Sequence, residues 1–128
     1  MNLEERANKA VELKTNGGLN CCQAVVTVLA DEVEMNIEDL NKIASGFAIG
    51  IGNMEATCGA LIGAVMIASL KIGKGSIKYT RQISESFKEK CGAITCNVLK
   101  GFSNEKIFCP CEICVKNAVL AYGEVMGL

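Results

Sequence analysis

The sequence contains no histidine. That absence removes Ser–His–Asp and Cys–His hydrolases, His-ligated zinc enzymes, haem on a proximal His and any imidazole proton shuttle. There is no tryptophan, and there are only two tyrosines, four phenylalanines and one proline, Pro110. The core must therefore be assembled mostly from Ala, Val, Ile, Leu, Met and Cys. Neither sign of charge is in excess: 13 basic and 14 acidic side chains leave a net charge of −1, which gives no reason to expect nucleic acid. The uncharged stretch from Ala56 to Leu70 falls short of the ~20 apolar residues that a membrane span needs. It reads as a buried central helix. The opening Met1-Asn2-Leu3-Glu4-Glu5-Arg6 is acidic and polar, unlike the basic-then-apolar start of a secretory signal. A cytoplasmic location is the expectation.

What the chain has in abundance is cysteine, eight in 128 residues. Inside a cell such thiols are metal-binding, catalytic or buried rather than a disulfide framework. Without imidazole, any metal or redox chemistry must be thiolate chemistry, helped at most by carboxylates or lysines. Half of the residues are hydrophobic and 21% are charged, the balance of a folded chain rather than a disordered one. The length suits one domain spanning residues 1–128. Basic residues gather between Lys71 and Lys90 and read as one solvated helix face.

The hydrophobic period is helical nearly throughout, so the expected fold is all-α: a bundle of five or six helices around a central Cys58–Leu70 helix. Leu3, Ala7, Ala10 and Val11 mark a first helix that Asn16-Gly17-Gly18 ends. Asn20 with Gln23 three residues later forms a capping-box pattern, opening a helix with Cys22, Val26, Leu29 and Val33 on one face. Asn36 caps a short third helix. Residues 46–52 are too glycine-rich for a helix interior and predict an apolar loop whose backbone packs closely. Thr57 is expected to cap the fourth helix, whose Gly59, Ala60, Gly63, Ala64 and Ala68 form a low ridge that a neighbour can approach. A fifth helix carries Tyr79, Ile83, Phe87 and Cys91 and stops at Gly92. Thr95 caps a short turn with Cys96, and Pro110 suits the first position of a last helix.

On this reading Cys21, Cys58, Cys96 and Cys111 each sit at a helix start. Free N–H groups and the positive end of the helix dipole favour a thiolate there. Cys22 and Cys91 fall on apolar stripes and read as small hydrophobes. Cys91 also closes its helix, where the dipole disfavours ionisation. Cys109-Pro110-Cys111-Glu112-Ile113-Cys114 contains one C-x-x-C at a helix start. There is no second C-x-x-C for a zinc ribbon and no C-x-x-C-x-x-C for a ferredoxin.

Several segments resemble the C_GCAxxG_C_C family of redox-active proteins, named for cysteines arranged around a CGAxxG signature. Asn20-Cys21-Cys22-Gln23-Ala24-Val25 is similar to its first-cysteine segment, and Ala44-Ser45-Gly46-Phe47 to its glycine-rich stretch. Thr57-Cys58-Gly59-Ala60-Leu61-Ile62-Gly63 carries the signature. Thr95-Cys96-Asn97-Val98-Leu99-Lys100-Gly101 and Cys111-Glu112-Ile113-Cys114-Val115 are similar to the remaining segments. The resemblance implies that Cys21, Cys58, Cys96 and Cys111 are the family cysteines. Cys22, Cys91, Cys109 and Cys114 fall where the family usually has other residues. Ala48 and Ile49 stand where further glycines are common. The label "redox" supplies no substrate.

Two chemistries follow as expectations. The first is thiol–disulfide exchange by a thiol-dependent oxidoreductase, with Cys58 as nucleophile, a second cysteine resolving the mixed disulfide, and Glu55 or Glu112 as acid or base. Its counterpart is a redox partner protein or a small thiol. The second is a four-thiolate centre on Cys21, Cys58, Cys96 and Cys111, joined by Cys109 and Cys114, holding an iron–sulfur cluster or zinc. If neither operates, the chain is an inert helical module whose apolar, small-residue surface suits a homo-oligomer.

Overall fold

A computed structural model describes residues 1–102 and 108–128. Its helices are α1 Leu3–Thr15, α2 Cys21–Val28, α3 Ile37–Ala44, α4 Gly59–Ile72, α5 Ile77–Cys91, the single turn α6 Cys96–Leu99, and α7 Cys111–Met126. A 3-10 turn, Ala30–Glu32, follows α2, and a glycine-rich turn, Gly50–Met54, precedes α4. Among the described residues there is no strand, only one isolated antiparallel bridge between Thr57 and Thr95. The fold is all-α, as the 3.6-residue period predicts. No helix among the described residues is long and apolar enough to cross a membrane.

Asparagines start three of the helices. Asn2 accepts from the Glu5 N–H at 2.8 Å, and Asn36 accepts from the Asp39 N–H at 2.8 Å. Asn20 forms the expected capping box. It accepts from the Gln23 N–H at 2.8 Å, while the Gln23 side chain accepts from the Asn20 N–H at 3.1 Å. Such a cap contributes about 1 kcal/mol. Gly92 and Gly127 end α5 and α7 with φ of 95° and 80°, left-handed positions where a side chain would be strained.

The central helix is α4, which packs on α2, α5 and α7. It is apolar around nearly its whole circumference, burying Ala60, Leu61, Gly63, Ala64, Ile67 and Ala68, as befits a helix with neighbours on several sides. Its bounds differ slightly from the expectation, because Cys58 is the residue before the first turn rather than within it. Gly63 is what lets α2 come close. A Cβ there would stand 3.0 Å from the Cys22 carbonyl oxygen and 3.1 Å from Val25 Cβ. On the basic face, Lys71 pairs with Glu32 and Lys90 with Glu124, each at 2.7 Å. These bonds stitch helix ends together.

Gly63 of α4 and Gly123 of α7, both buried, separate packing from mere proximity. A Cβ on Gly63 would meet the Cys22 carbonyl and the root of the Val25 side chain, whereas the nearest atoms to a Cβ on Gly123 belong to the flexible Leu3 side chain. Gly63→Leu is therefore expected to lower stability by about 2 kcal/mol or more through overpacking. Gly123→Ala gains helix propensity, about 1 kcal/mol, against a side chain that can move, and should be close to neutral. Urea unfolding of the two variants checks the contrast; equal losses would contradict it.

Candidate functional site

The helix starts are drawn together by short backbone links. The Cys58 N–H donates to the Ile94 carbonyl at 2.7 Å, and the Cys96 N–H donates to the Ala56 carbonyl at 3.0 Å. These two bonds flank the Thr57–Thr95 bridge and hold the start of α4 beside the start of α6. Neither threonine caps its helix with its side chain, contrary to the sequence-based expectation. Both are used as extended bridge residues instead. The Cys109 N–H then donates to the Leu99 carbonyl at 2.7 Å, which brings the start of α7 to the end of α6. Pro110 sits at the N-cap, one residue before the position expected for it.

The start of α2 arrives through Gly59. A Cβ on Gly59 would lie 2.8 Å from the Phe47 carbonyl oxygen, 2.9 Å from Cys21 Sγ and 3.1 Å from Ala48 Cα. Only a residue without a side chain allows α2, α4 and the 46–52 segment to meet there. That segment is the close-packing apolar loop predicted. Its backbone is unusual: Ile49 and Ile51 adopt φ of 57° and 59°, a region costly for β-branched residues at about 1–3 kcal/mol each. The Ile49 backbone N–H acts to lower the Cys21 pKa, against the larger effect of burial.

The result is a cavity of about 200 Å³ walled by Cys21, Cys58, Cys96, Cys111 and Cys114, with Lys14 and Lys100 also in its lining. All four cysteines of the family pattern therefore reach one cavity. The neighbouring Cys111 raises the Lys100 pKa. Cys111 is the one thiol that is not buried, and all eight are free. Glu55 does not line this cavity. It is exposed and bonded locally to Asn53. Glu112 is exposed too and absent from the cavity wall. The acid–base groups present are thiols and lysines. A larger hollow of about 500 Å³ near Arg6 and Asp31 contains no thiol, and its Arg6 and Asp31 are paired with each other.

Helix starts do not treat these thiols alike. Cys58 is held below the usual thiol range, first by the Cys114 S–H and then by the N–H groups of Ala60 and Leu61, against its burial. Cys21 goes the other way: burial, then the nearby Cys58, pushes it up to about 11. Burial also raises Cys96 and pushes Cys22 up to about 12. The expectation that all helix starts favour a thiolate therefore fails at Cys21 and Cys96, where desolvation outweighs the backbone donors.

Cys91 reverses its expected role. It is buried at the end of α5, yet it is held low by the Cys114 S–H, by Asn117, whose side-chain N–H reaches its sulfur at 3.2 Å, and by Cys109. Hydrogen-bond donors here outweigh the apolar stripe. Cys91, Cys109 and Cys114 have sulfurs within 4.8 Å of one another, the one such group of three among the described residues. The expected metal set of Cys21, Cys58, Cys96 and Cys111 does not close to that spacing. Sequence reasoning placed Cys109 and Cys114 near the site but missed Cys91, because the contact between the end of α5 and the start of α7 is purely tertiary. Cys114 stands between the two thiol groups. Its S–H donates to the Cys109 carbonyl at 3.4 Å, and the neighbouring thiols of Cys58, Cys91 and Cys109 all raise its pKa. The two low thiols, Cys58 and Cys91, are both lowered by Cys114 and titrate together.

These shifts set a pH dependence. In the unfolded chain Cys21 and Cys22 ionise near 9.0, while folding raises them to about 11 and about 12. The folded state keeps those protons longer, so their contribution is complete below pH 9 and is lost as pH rises from there toward the folded values. The melting temperature of the reduced, metal-free protein should fall between about pH 9 and about pH 11, and less steeply in Cys22→Ala. A flat profile, or an unchanged slope in Cys22→Ala, would contradict these assignments.

Comparison with known proteins agrees with the site. No curated protein and no solved structure matches the chain. A family profile does, over residues 19–125, and its description is "Putative redox-active protein (C_GCAxxG_C_C)". The match runs from the start of α2 nearly to the end of α7 and includes every thiol in the cavity, so the chain belongs to the C_GCAxxG_C_C family of redox-active proteins.

Proposed function

We propose that the protein is a thiol–disulfide oxidoreductase whose working pair is Cys58 and Cys21, acting on a small disulfide that enters the cavity. The observation that carries this reading is the meeting of four helix-start cysteines around one hollow of about 200 Å³. Cys58 is the N-cap residue of α4, where the N–H groups of Ala60 and Leu61 lower its pKa and favour a thiolate without a histidine. Cys21 Sγ lies against the backbone of the next residue, Gly59, and burial keeps it as a thiol. Two neighbouring groups whose environments push their pKa values apart are suited to different roles.

The reaction balances without a further oxidant. The Cys58 thiolate attacks one sulfur of the disulfide RSSR′, forming a Cys58–SR bond and releasing R′S⁻. The Cys21 sulfur then attacks Cys58, forming the Cys58–Cys21 disulfide. The departing RS⁻ takes the Cys21 proton and leaves as RSH. The protein loses two electrons and the substrate gains two. An external thiol or dithiol protein returns them by the reverse exchange. Lys14 and Lys100 line the cavity, where their charges favour the released thiolate. Cys111, half-buried beside Lys100, is placed to meet the reductant.

A single metal ion held by the four family cysteines is the weaker reading, because no three of them lie within 4.8 Å of one another. The discriminating experiment uses reduced, metal-free protein and oxidised glutathione. The wild-type chain should release two thiol equivalents and retain no adduct. Cys21→Ser should release one equivalent and keep glutathione on Cys58, located by peptide mass spectrometry. Cys58→Ser should react at least ~10-fold more slowly, the remaining thiols being less ionised or less favourably placed. A first adduct on Cys111 or Cys96 in the Cys21→Ser variant would sink the assignment of Cys58 as nucleophile.

A further inference from the structure

Three cysteines outside the family pattern form a second constellation, which shares Cys114 with the wall of the cavity. The sulfurs of Cys91, Cys109 and Cys114 converge within 4.8 Å of one another, on residues 8%, 5% and 3% exposed. They come from the last residue of α5, the segment before α7, and the first turns of α7. The backbone fixes all three positions. The Gly92 N–H closes α5 on the Lys88 carbonyl at 2.7 Å, the Cys109 N–H is held by Leu99 at 2.7 Å, and the Cys114 N–H by Pro110 at 2.9 Å. Packing as small hydrophobes would explain each burial separately. It would not explain three sulfurs gathered within 4.8 Å of one another, with the Asn117 amide spent on Cys91 Sγ at 3.2 Å.

We propose that Cys91, Cys109 and Cys114 form a trigonal binding site for one Cu(I) ion. A metal–thiolate bond of ~2.3 Å would place trigonal sulfurs ~4 Å apart, so the site needs only a small contraction. The donor set is all sulfur, with no imidazole or carboxylate in the group, and such sets select soft ions. Among those, zinc requires four ligands or an open position for water, and this group offers three ligands in a buried setting. Cu(I) is satisfied by three thiolates. Loading is a proton exchange without electron transfer: Cu(I) displaces the protons of the thiols that ligate it, and a small thiol or chelator that carried the ion leaves. The Asn117 amide supplies the outer hydrogen bond that orients a metal-bound sulfur. Cys114 also lines the cavity shared by Cys21, Cys58 and Cys111, the side from which an ion would approach the trio.

This site stands on its own geometry and uses neither Cys58 nor Cys21, so it can fail while the exchange reading holds, and the reverse. The test titrates the reduced full-length protein with Cu(I) under anaerobic conditions against a competing Cu(I) chelator. The wild-type chain should retain one Cu(I), and its X-ray absorption should show a shell of three sulfurs. Cys91→Ser and Cys109→Ser should each weaken retention at least ~100-fold, and Asn117→Ala ~10-fold. The double variant Cys21→Ser/Cys111→Ser should keep the ion within a few-fold of wild type. Loss of copper in that double variant would overturn the proposal by moving the ion to the cavity. A two- or four-sulfur shell in the wild-type protein would also overturn it, without reliance on any variant that folds poorly.

Discussion

The missing side chain at Gly59 is the constraint on which the site depends. The Phe47 carbonyl oxygen, Cys21 Sγ and Ala48 Cα all stand 2.8–3.1 Å from where its Cβ would be. Those distances bring α2 and the glycine-rich segment onto the first turn of the central helix. The Thr57–Thr95 bridge then adds α6, and the bond from Cys109 to Leu99 adds α7. The left-handed Ile49 and Ile51 are tolerated because this packing fixes the loop from several sides. The N–H of one of them, Ile49, acts to lower the Cys21 pKa. Local strain and close packing together produce a cavity that no single segment encodes.

Within that frame, desolvation and hydrogen bonding decide what each thiol can do. A helix start lowers a thiol pKa only while the sulfur still meets donors. The Cys58 pKa is lowered by Cys114 and, less, by the N–H groups of Ala60 and Leu61, whereas Cys21 and Cys96 are governed by burial. Cys114 joins the two thiol groups. Removing the Cys114 thiol would remove the largest influence that lowers the Cys58 pKa.

Much of this was legible in the sequence, at the level of local rules. The helical period, the Asn20 capping box and the small-residue ridge of α4 are each set by nearby residues, and each appears where expected. The CGAxxG signature has a direct physical content: Gly59 admits Cys21 and the loop, and Gly63 admits α2. What depended on distant contacts was not legible. Thr57 and Thr95 look like caps until the bridge pairs them. Cys91 looks like a core residue until α7 supplies Asn117, Cys109 and Cys114 around it. The surplus of cysteines beyond the family's four was the available signal. Glu55 looked close to Cys58 in sequence, but the turn before α4 carries it away to Asn53.

The central claim is that Cys58 and Cys21 are functional partners because the fold presses Cys21 against the residue after Cys58. Graded oxidation tests it most directly. The reduced, metal-free full chain would be equilibrated in redox buffers of rising potential, quenched, and its disulfides mapped by peptide mass spectrometry. The account predicts that the first bridge to form is intramolecular and joins Cys21 to Cys58, as a single two-electron couple. A first bridge between Cys109 and Cys114, or between two chains, with Cys21 and Cys58 still free, would contradict it.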